Sequence, residues 1–329
     1  MTDPVDDLIR HETPDHAQAI AVIDAPGLVP DAFALTGDVR VWCDDWRDAQ
    51  MVPPDLLVDH PSALAGVDLA WAHLPKSLAA LDEMAVSVQG AQDTTFLGAA
   101  RDKHMNKSMN EVLNRHFTAV AATLGRRKCR GLRAWGPAFL EPEWPKFRRH
   151  DDMDLVVAAH GSTFAGTKVD AGTRLLLQNL EVTGQDVLDF GSGNGVIAAH
   201  LARKGHHVLA RDVSWGAVAA TLETAAANEV EIDATWGDSL KGYDDHSIDA
   251  IVTNPPFHRG VAKDSDATLA MFDDAARVLR PGGELWCVYN SHLPWRRELN
   301  TRLGPTRVLA QNRGYTVTLT HAIGQPAEP

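Results

Sequence analysis

From Asp186 onward the chain alternates short apolar runs with longer stretches whose apolar residues recur at helical spacing. Val187–Phe190 reads as a buried strand, and beyond a glycine turn Val196–Arg203 reads as a helix. His206–Asp212 is a second strand ending in an acid, and Trp215–Glu229, rich in alanine and free of glycine after its first turn, predicts a helix. Glu231–Trp236 alternates as a strand, and Ile248–Thr253 is apolar and β-branched. A helix over Ser265–Leu279 is stopped by Arg280–Gly283, followed by a strand at Glu284–Asn290. Arg307–Asn312 and Thr316–Ile323 form a closing antiparallel pair. This order predicts an α/β fold: a parallel sheet with helices on both faces and ligands at the carboxyl ends of the strands. In the first half, Leu69–Val86 reads as helical, and Thr94–Phe117 repeats the strand-turn-helix order of Asp186–Gly205.

Composition bounds the organisation. The 329 residues suit two domains, and the Pro-rich, charged stretch Gly136–Asp152 marks their junction, giving residues 1–147 and 148–329. Cys43, Cys129 and Cys287 are far apart, which disfavours disulfides and zinc and favours a reducing cytoplasm. The histidines show no metal-ligand spacing, so no metal is expected. The amino terminus lacks the basic start of a signal peptide, and no apolar run approaches the roughly 20 residues that span a membrane. Oligomeric state is not encoded in any of this.

The net charge of −13 speaks against a polyanionic partner until its distribution is read. Residues 1–70 hold 3 Lys/Arg against 14 Asp/Glu, whereas residues 71–150 hold 13 against 7. The acidic first 70 residues are expected to be weakly folded around Pro-rich turns. The middle stretch contains Arg126–Arg133 (RRKCRGLR), in which Arg126, Arg127 and Lys128 open a run that phosphate backbones would attract. A solvated loop between a helix and a strand is the plainer reading of the same run.

The strongest chemical signal is Asn254-Pro255-Pro256-Phe257, directly after the apolar run Ile248–Thr253. Two prolines remove two backbone donors and fix φ, so the chain leaves the sheet stiff and extended. That corner can hold the Asn254 side-chain carbonyl and the Pro255 backbone carbonyl as neighbouring acceptors, with Phe257 as a flat apolar face beyond. Two acceptors and a ring suit a planar group bearing an NH2, such as a nucleobase. Upstream, Gly191, Gly193 and Gly195 form a G-x-G-x-G turn opening a helix. Glycine lets a ligand approach the backbone, and the helix start offers N–H groups to an anion such as a carboxylate. The spacing is not the G-x-G-x-x-G of a dinucleotide site, and Asp189 would repel a pyrophosphate but attract an ammonium. Asp212, at the tip of the next strand, can accept from both hydroxyls of a ribose, and Asp238 can accept from an adenine amino group.

Together these residues resemble the class I methyltransferases that use S-adenosyl-L-methionine, over about Asp151–Ile323. Within that class, NPPFH (Asn254–His258) and Ser162–Leu177 (STFAGTKVDAGTRLLL) resemble the RsmC/RlmG family, which modifies the 2-amino group of a guanine in ribosomal RNA. The resemblance implies two tandem Rossmann-like class I methyltransferase-type domains, the first a degenerate copy serving RNA recognition. It implies Thr173 near the cofactor, Phe164 and His258 near the substrate, and ribosomal RNA or a ribosomal subunit as partner. In the first half, the loop of Thr94–Phe117 has one glycine and no G-x-G-x-G, as expected of a copy that has lost the cofactor. The same corner chemistry serves adenine 6-amino groups and protein glutamine. An NAD-type oxidoreductase and a non-catalytic RNA-binding assembly factor are the readings from other classes.

Overall fold

A computed structural model describes residues 3–255 and 262–323. The chain divides into two compact units: residues 1–145 with 160–162, and residues 146–159 with 163–329.

Unit 1 is built on six strands: β1 Ala19–Ile23, β2 Asp38–Trp42, β3 Leu69–His73, β4 Thr95–Arg101, β5 Phe117–Ala122 and β6 Cys129–Pro137. Their spatial order is β2-β1-β3-β4-β6-β5. The first four run parallel, and β6 enters antiparallel between β4 and β5. β1 is buried at every position, as a parallel strand covered on both faces must be.

Unit 2 opens with a hairpin, β7 Lys146–His150 and β8 Leu155–Ala159. Its main sheet comprises β9 Asp186–Phe190, β10 His207–Asp212, β11 Asp233–Trp236, β12 Ile248–Thr253, β13 Leu279–Asn290, β14 Thr306–Gln311 and β15 Tyr315–His321. The order is β11-β10-β9-β12-β13-β15-β14; β9 to β13 run parallel, and β15 is antiparallel to both β13 and β14. Alternate residues feed two cores. Val187, Val252, Trp286 and Val288 pack on one side, and Leu188, Ile251, Leu285, Cys287 and Tyr289 on the other. Burial on both faces explains why these strands read as continuous apolar runs.

The two sheets share one plan. In each, the second strand along the chain flanks the first on one side, two parallel strands follow on the other, and an antiparallel pair closes that edge; unit 2 adds β11 outside β10. The α/β expectation of two tandem Rossmann-like domains holds, and the first is the degenerate copy.

Three readings of the first half need correction. Leu69–Val86 is not one helix: Leu69–His73 is strand β3, and the helix spans only Leu78–Ser87, capped by the Ser77 side chain. Residues 1–70 are not weakly folded, because they supply β1, β2 and the helix Pro4–Glu12. Their acids have structural roles: Asp3 caps that helix, and Asp68 accepts from the Gln18 and Ala19 N–H groups. Finally, Thr94–Phe117 is not the counterpart of the glycine turn. Sheet position pairs β4 with β13 and β1 with β9, so the counterpart of Gly191 follows β1.

That counterpart is Asp24. Its N–H donates to the Trp42 carbonyl at 3.0 Å, as the Gly191 N–H donates to the Arg211 carbonyl at 2.8 Å. Asp24 keeps a left-handed φ of 51°, close in kind to the 78° of Gly191. Its carboxylate accepts from the Asp44 N–H at 2.7 Å. Burial and the neighbouring Asp44 push the Asp24 carboxyl well above the usual carboxylate range.

Candidate functional site

The glycine bend sits between β9 and the helix Val196–Arg203. Gly191, Gly193 and Gly195 have φ of 78°, 56° and 72°, so all three use the left-handed region. Their surroundings differ. A Cβ on Gly191 would meet nothing within 4 Å, and one on Gly193 only the Phe164 Cβ at 4.0 Å. A Cβ on Gly195 would lie 2.7 Å from the Thr221 Cα. The first two glycines therefore keep a cradle open, and the third permits close packing against the helix Trp215–Ala227.

Much of the bend's own hydrogen bonding is internal. Gly191 and Ser192 donate to the Arg211 carbonyl, and Gly193 donates to Asp212 Oδ2 at 2.9 Å. Asp212 Oδ1 accepts from the Ser214 N–H at 3.0 Å. Asp212 thus braces the bend from the tip of β10.

Asp189 is fully buried, and its Oδ2 accepts from the Ala198 N–H at 3.0 Å, inside the first turns of the helix after the bend. Its Oδ1 has no hydrogen-bond partner among the described residues. Burial pushes its carboxyl up to about 8, against the pull of the Ala198 N–H. The structure does not bring Asp189 to the wall of the cleft at the bend. The N–H of Ala198, expected to await an anionic ligand, is already held by this acid.

The cleft is lined by the bend, Phe164, Lys168, Thr173 and Asn254, all of unit 2. Asn254 follows β12, whose last residue, Thr253, donates from Oγ1 to the Phe190 carbonyl at 2.7 Å. The Asn254 amide nitrogen donates to Thr173 Oγ1 at 2.8 Å and to Asp170 Oδ2 at 3.4 Å. With its N–H groups engaged there, the side-chain oxygen is the acceptor left to the cleft. Asp170 also caps the helix Ala171–Leu177, accepting from the Gly172 and Thr173 N–H groups. Gly172 is required because a Cβ there would lie 2.8 Å from the Tyr315 ring.

Phe164 is 63% exposed at the rim. Its loop carries left-handed Ala165 and Gly166, and the Asn194 side chain donates to the Gly166 and Lys168 carbonyls at 2.8 and 2.9 Å. Asp170, Asn194 and Lys168 were not anticipated as site residues. Asp170 stands in the motif that carried the family resemblance, and Asn194 inside the glycine turn, so position was their only signal.

Pro255 is buried at the corner. Pro256, Phe257 and His258 lie outside the described residues. Asp238 is exposed two residues past β11 and does not line the cleft. Arg126, Arg127 and Lys128 belong to unit 1, in the turn between β5 and β6. That turn corrects the looser reading of a helix-to-strand loop. Among the described residues no cluster could hold a metal ion, and no helix is long and apolar enough to cross a membrane.

Two outcomes follow for the bend. Gly195→Ala should cost about 3 kcal/mol, combining a left-handed alanine with a backbone clash, and Gly191→Ala only about 1–2 kcal/mol, measured by urea unfolding. Asp189 binds its proton more tightly folded, at about 8, than unfolded, at roughly 3.9. Its contribution to stability is full below the lower value and is lost as pH rises through about 8. Thermal melts of the ligand-free protein from acid to mildly alkaline pH should show that fall, and Asp189→Asn should flatten it.

Comparison with known proteins agrees with the geometry. The Methyltransferase small domain family matches residues 154–319, and the RLMG N-terminal domain matches residues 50–136. Ribosomal RNA large subunit methyltransferase G of Streptomyces coelicolor is 35% identical over 267 residues, covering 76% of this chain and 71% of that protein. Ribosomal RNA small subunit methyltransferase C of Hahella chejuensis is 32% identical, with 74% of each chain covered. The fold matches that of a T. thermophilus 16S rRNA N2 methyltransferase, RsmC, solved with AdoMet and guanosine, at a TM-score of 0.79 and 21% identity, covering 97% of this chain and 92% of that one. The chain belongs to the Methyltransferase small domain family, among the ribosomal RNA methyltransferases G and C.

Proposed function

We propose that this chain methylates the exocyclic 2-amino group of a guanine in ribosomal RNA, using S-adenosylmethionine. The observation that carries the reading is Asn254, whose amide is turned by Thr173 and Asp170 so that its oxygen is left to the cleft at the glycine bend. The names of the relatives support ribosomal RNA as substrate, and the structural neighbour, an N2 methyltransferase holding guanosine, supports the guanine 2-amino group.

The residues fit the cofactor. Gly191 and Gly193 leave open space where a Cβ would otherwise stand, so a ligand can lie against the backbone. Asp212, beside the bend at the tip of β10, is assigned to a ribose, and Asp238, exposed and away from the cleft lining, is assigned to the adenine amino group by sequence alone. The buried Asp189 holds the helix start in place behind the bend and does not reach the cleft, so its part is to position the backbone that would hold the cofactor. When bound, the cofactor supplies a methyl group activated on a sulfonium.

The chain's own part is positioning and electrostatics. The lone pair of a guanine 2-amino group is delocalised into the ring, so the amine is a poor nucleophile. Accepting its N–H groups at Asn254 Oδ1 and the Pro255 carbonyl localises the pair and stabilises the positive charge that develops on nitrogen. Alignment in the cleft supplies most of the remaining gain. No strong base is needed, because the methylated nitrogen is acidic and sheds its proton late. The target base must leave its stack to enter. Phe164 at the rim and the sequence-assigned Phe257 and His258 would receive it.

Unit 1 serves substrate recognition in this reading. With Asp24 where the first glycine of the bend would stand, its crevice takes no cofactor, and calorimetry should count one equivalent of S-adenosylmethionine per chain. Incubation with labelled methyl donor and unmodified ribosomal subunits, followed by mass mapping, should find methyl on a guanine 2-amino group. Label on an adenine or on protein alone would refute the assignment. Asn254→Ala should keep cofactor affinity within about twofold and lower turnover by about 100-fold or more.

A further inference from the structure

The hairpin of β5 and β6 combines backbone strain, unpaired charge and an exposed ring. Its turn is closed by Arg126 and Cys129, each donating its N–H to the other's carbonyl, at 2.9 and 2.8 Å. Arg127 and Lys128 are therefore the two central residues, and both are left-handed, at φ of 48° and 60°. Asn-Gly is the favoured occupant of such a turn, and bulky cations sit there at a steric cost. Strained residues of this kind gather where function holds them. Arg127 has a structural partner, Asp7, at 2.5 Å. Arg126, Lys128, Arg130 and Arg133 have no ion pair or side-chain hydrogen bond among the described residues, and the first three are exposed.

Along the chain no Asp or Glu occurs between Glu111 and Glu141; in space Asp7 pairs with Arg127, and the Asp102 N–H donates to the Lys128 carbonyl at 2.9 Å. Arg133 and Trp135 alternate onto one side of β6. Their cross-strand partners on the edge strand β5 are Ala121 and Ala119. These methyl groups raise no wall beside the indole, and Trp135 is 43% exposed. A buried tryptophan would contribute to a core; a half-exposed one flanked by alanines and an arginine offers a flat face for stacking.

We propose that this hairpin is a platform for single-stranded RNA, with Lys128 at the turn and Arg133 on the strand following the phosphates and Trp135, on the same side as Arg133, stacking on a base. The inference rests on the reading of RNA as substrate and locates the surface of unit 1 that engages it. Charge complementarity selects the occupant: a cationic turn and an arginine on the same face as an exposed ring, on a chain of net charge −13, match a polyanion with aromatic bases.

The test uses the full chain and a labelled single-stranded RNA oligonucleotide across a potassium chloride series. In the double variant Lys128→Gly/Arg133→Gln, the slope of log affinity against log salt should lessen by about 1.4. Trp135→Ala should weaken binding by about tenfold at unchanged slope. Cofactor binding by calorimetry reports folding in both, and the glycine relaxes the turn, so the melting temperature should hold or rise. Wild-type affinity and slope in both variants would overturn the platform and leave an acidic protein as the hairpin's partner. If the wild type methylates ribosomal RNA while both variants retain its KM for RNA, the platform fails and the activity stands. If the wild type shows the expected salt slope but transfers no methyl group, the platform stands and the activity fails.

Discussion

The site depends on one side-chain amide being held the right way round. An asparagine beside an open cleft can present either its oxygen or its nitrogen, and only the oxygen accepts from an amine. Here Thr173 Oγ1 and Asp170 Oδ2 take the nitrogen side of Asn254. Asp170 is itself fixed by capping the helix Ala171–Leu177 through the Gly172 and Thr173 N–H groups. The helix can sit so close to β15 because position 172 has no Cβ to meet the Tyr315 ring. A helix cap, a strand end and a ring on a third element thus converge on the orientation of one amide. Orientation fixed before the substrate arrives is what lets a hydrogen-bond acceptor act at no reorganisation cost during reaction.

The duplicated sheet keeps the turn of the bend without its first glycine. Asp24 occupies the place of Gly191 and keeps the left-handed turn, so β1 still bonds to the end of β2. A carboxylate then stands where glycine would leave space, and it turns inward to accept the Asp44 N–H. The backbone geometry survives because aspartate tolerates the left-handed region better than most residues. Opening the crevice to a ligand demands glycine; merely turning the chain does not.

How much of this could be read beforehand depended on the range of the interaction. The glycine bend and the strand before Asn254 were legible because both are local: periodicity gives the strand, and glycine or proline gives the turn. Leu69–Val86 misled because a five-residue strand buried on both faces and a following apolar helix make one continuous hydrophobic run, which periodicity cannot divide. The acidic start misled in the opposite direction, since acids that cap helices and strand ends are counted like acids in a disordered tail. The bonds from Asn254 to Thr173 and Asp170 join residues 81 and 84 apart. No local pattern encodes such a pairing. Counting glycines does not find the counterpart of Gly191 in unit 1, whereas strand order identifies it without reference to residue type.

Strand order and local bonding also resolve the conflict between an acidic chain and a nucleic-acid substrate. Charges on exposed surfaces act over about 10 Å at ordinary ionic strength, so the field near a hairpin is set by its neighbours and not by the net charge. In unit 1 several acids are consumed locally: Asp3 and Asp45 at helix starts, Asp68 at the start of β1, and Asp7 in its pair with Arg127. What those acids do not neutralise is Arg126, Lys128, Arg130 and Arg133 on a hairpin without a carboxylate of its own. An excess of acid elsewhere keeps the chain soluble and opposes indiscriminate attachment to RNA. A local cluster of cations beside an exposed ring favours recognition of a particular segment over general adhesion.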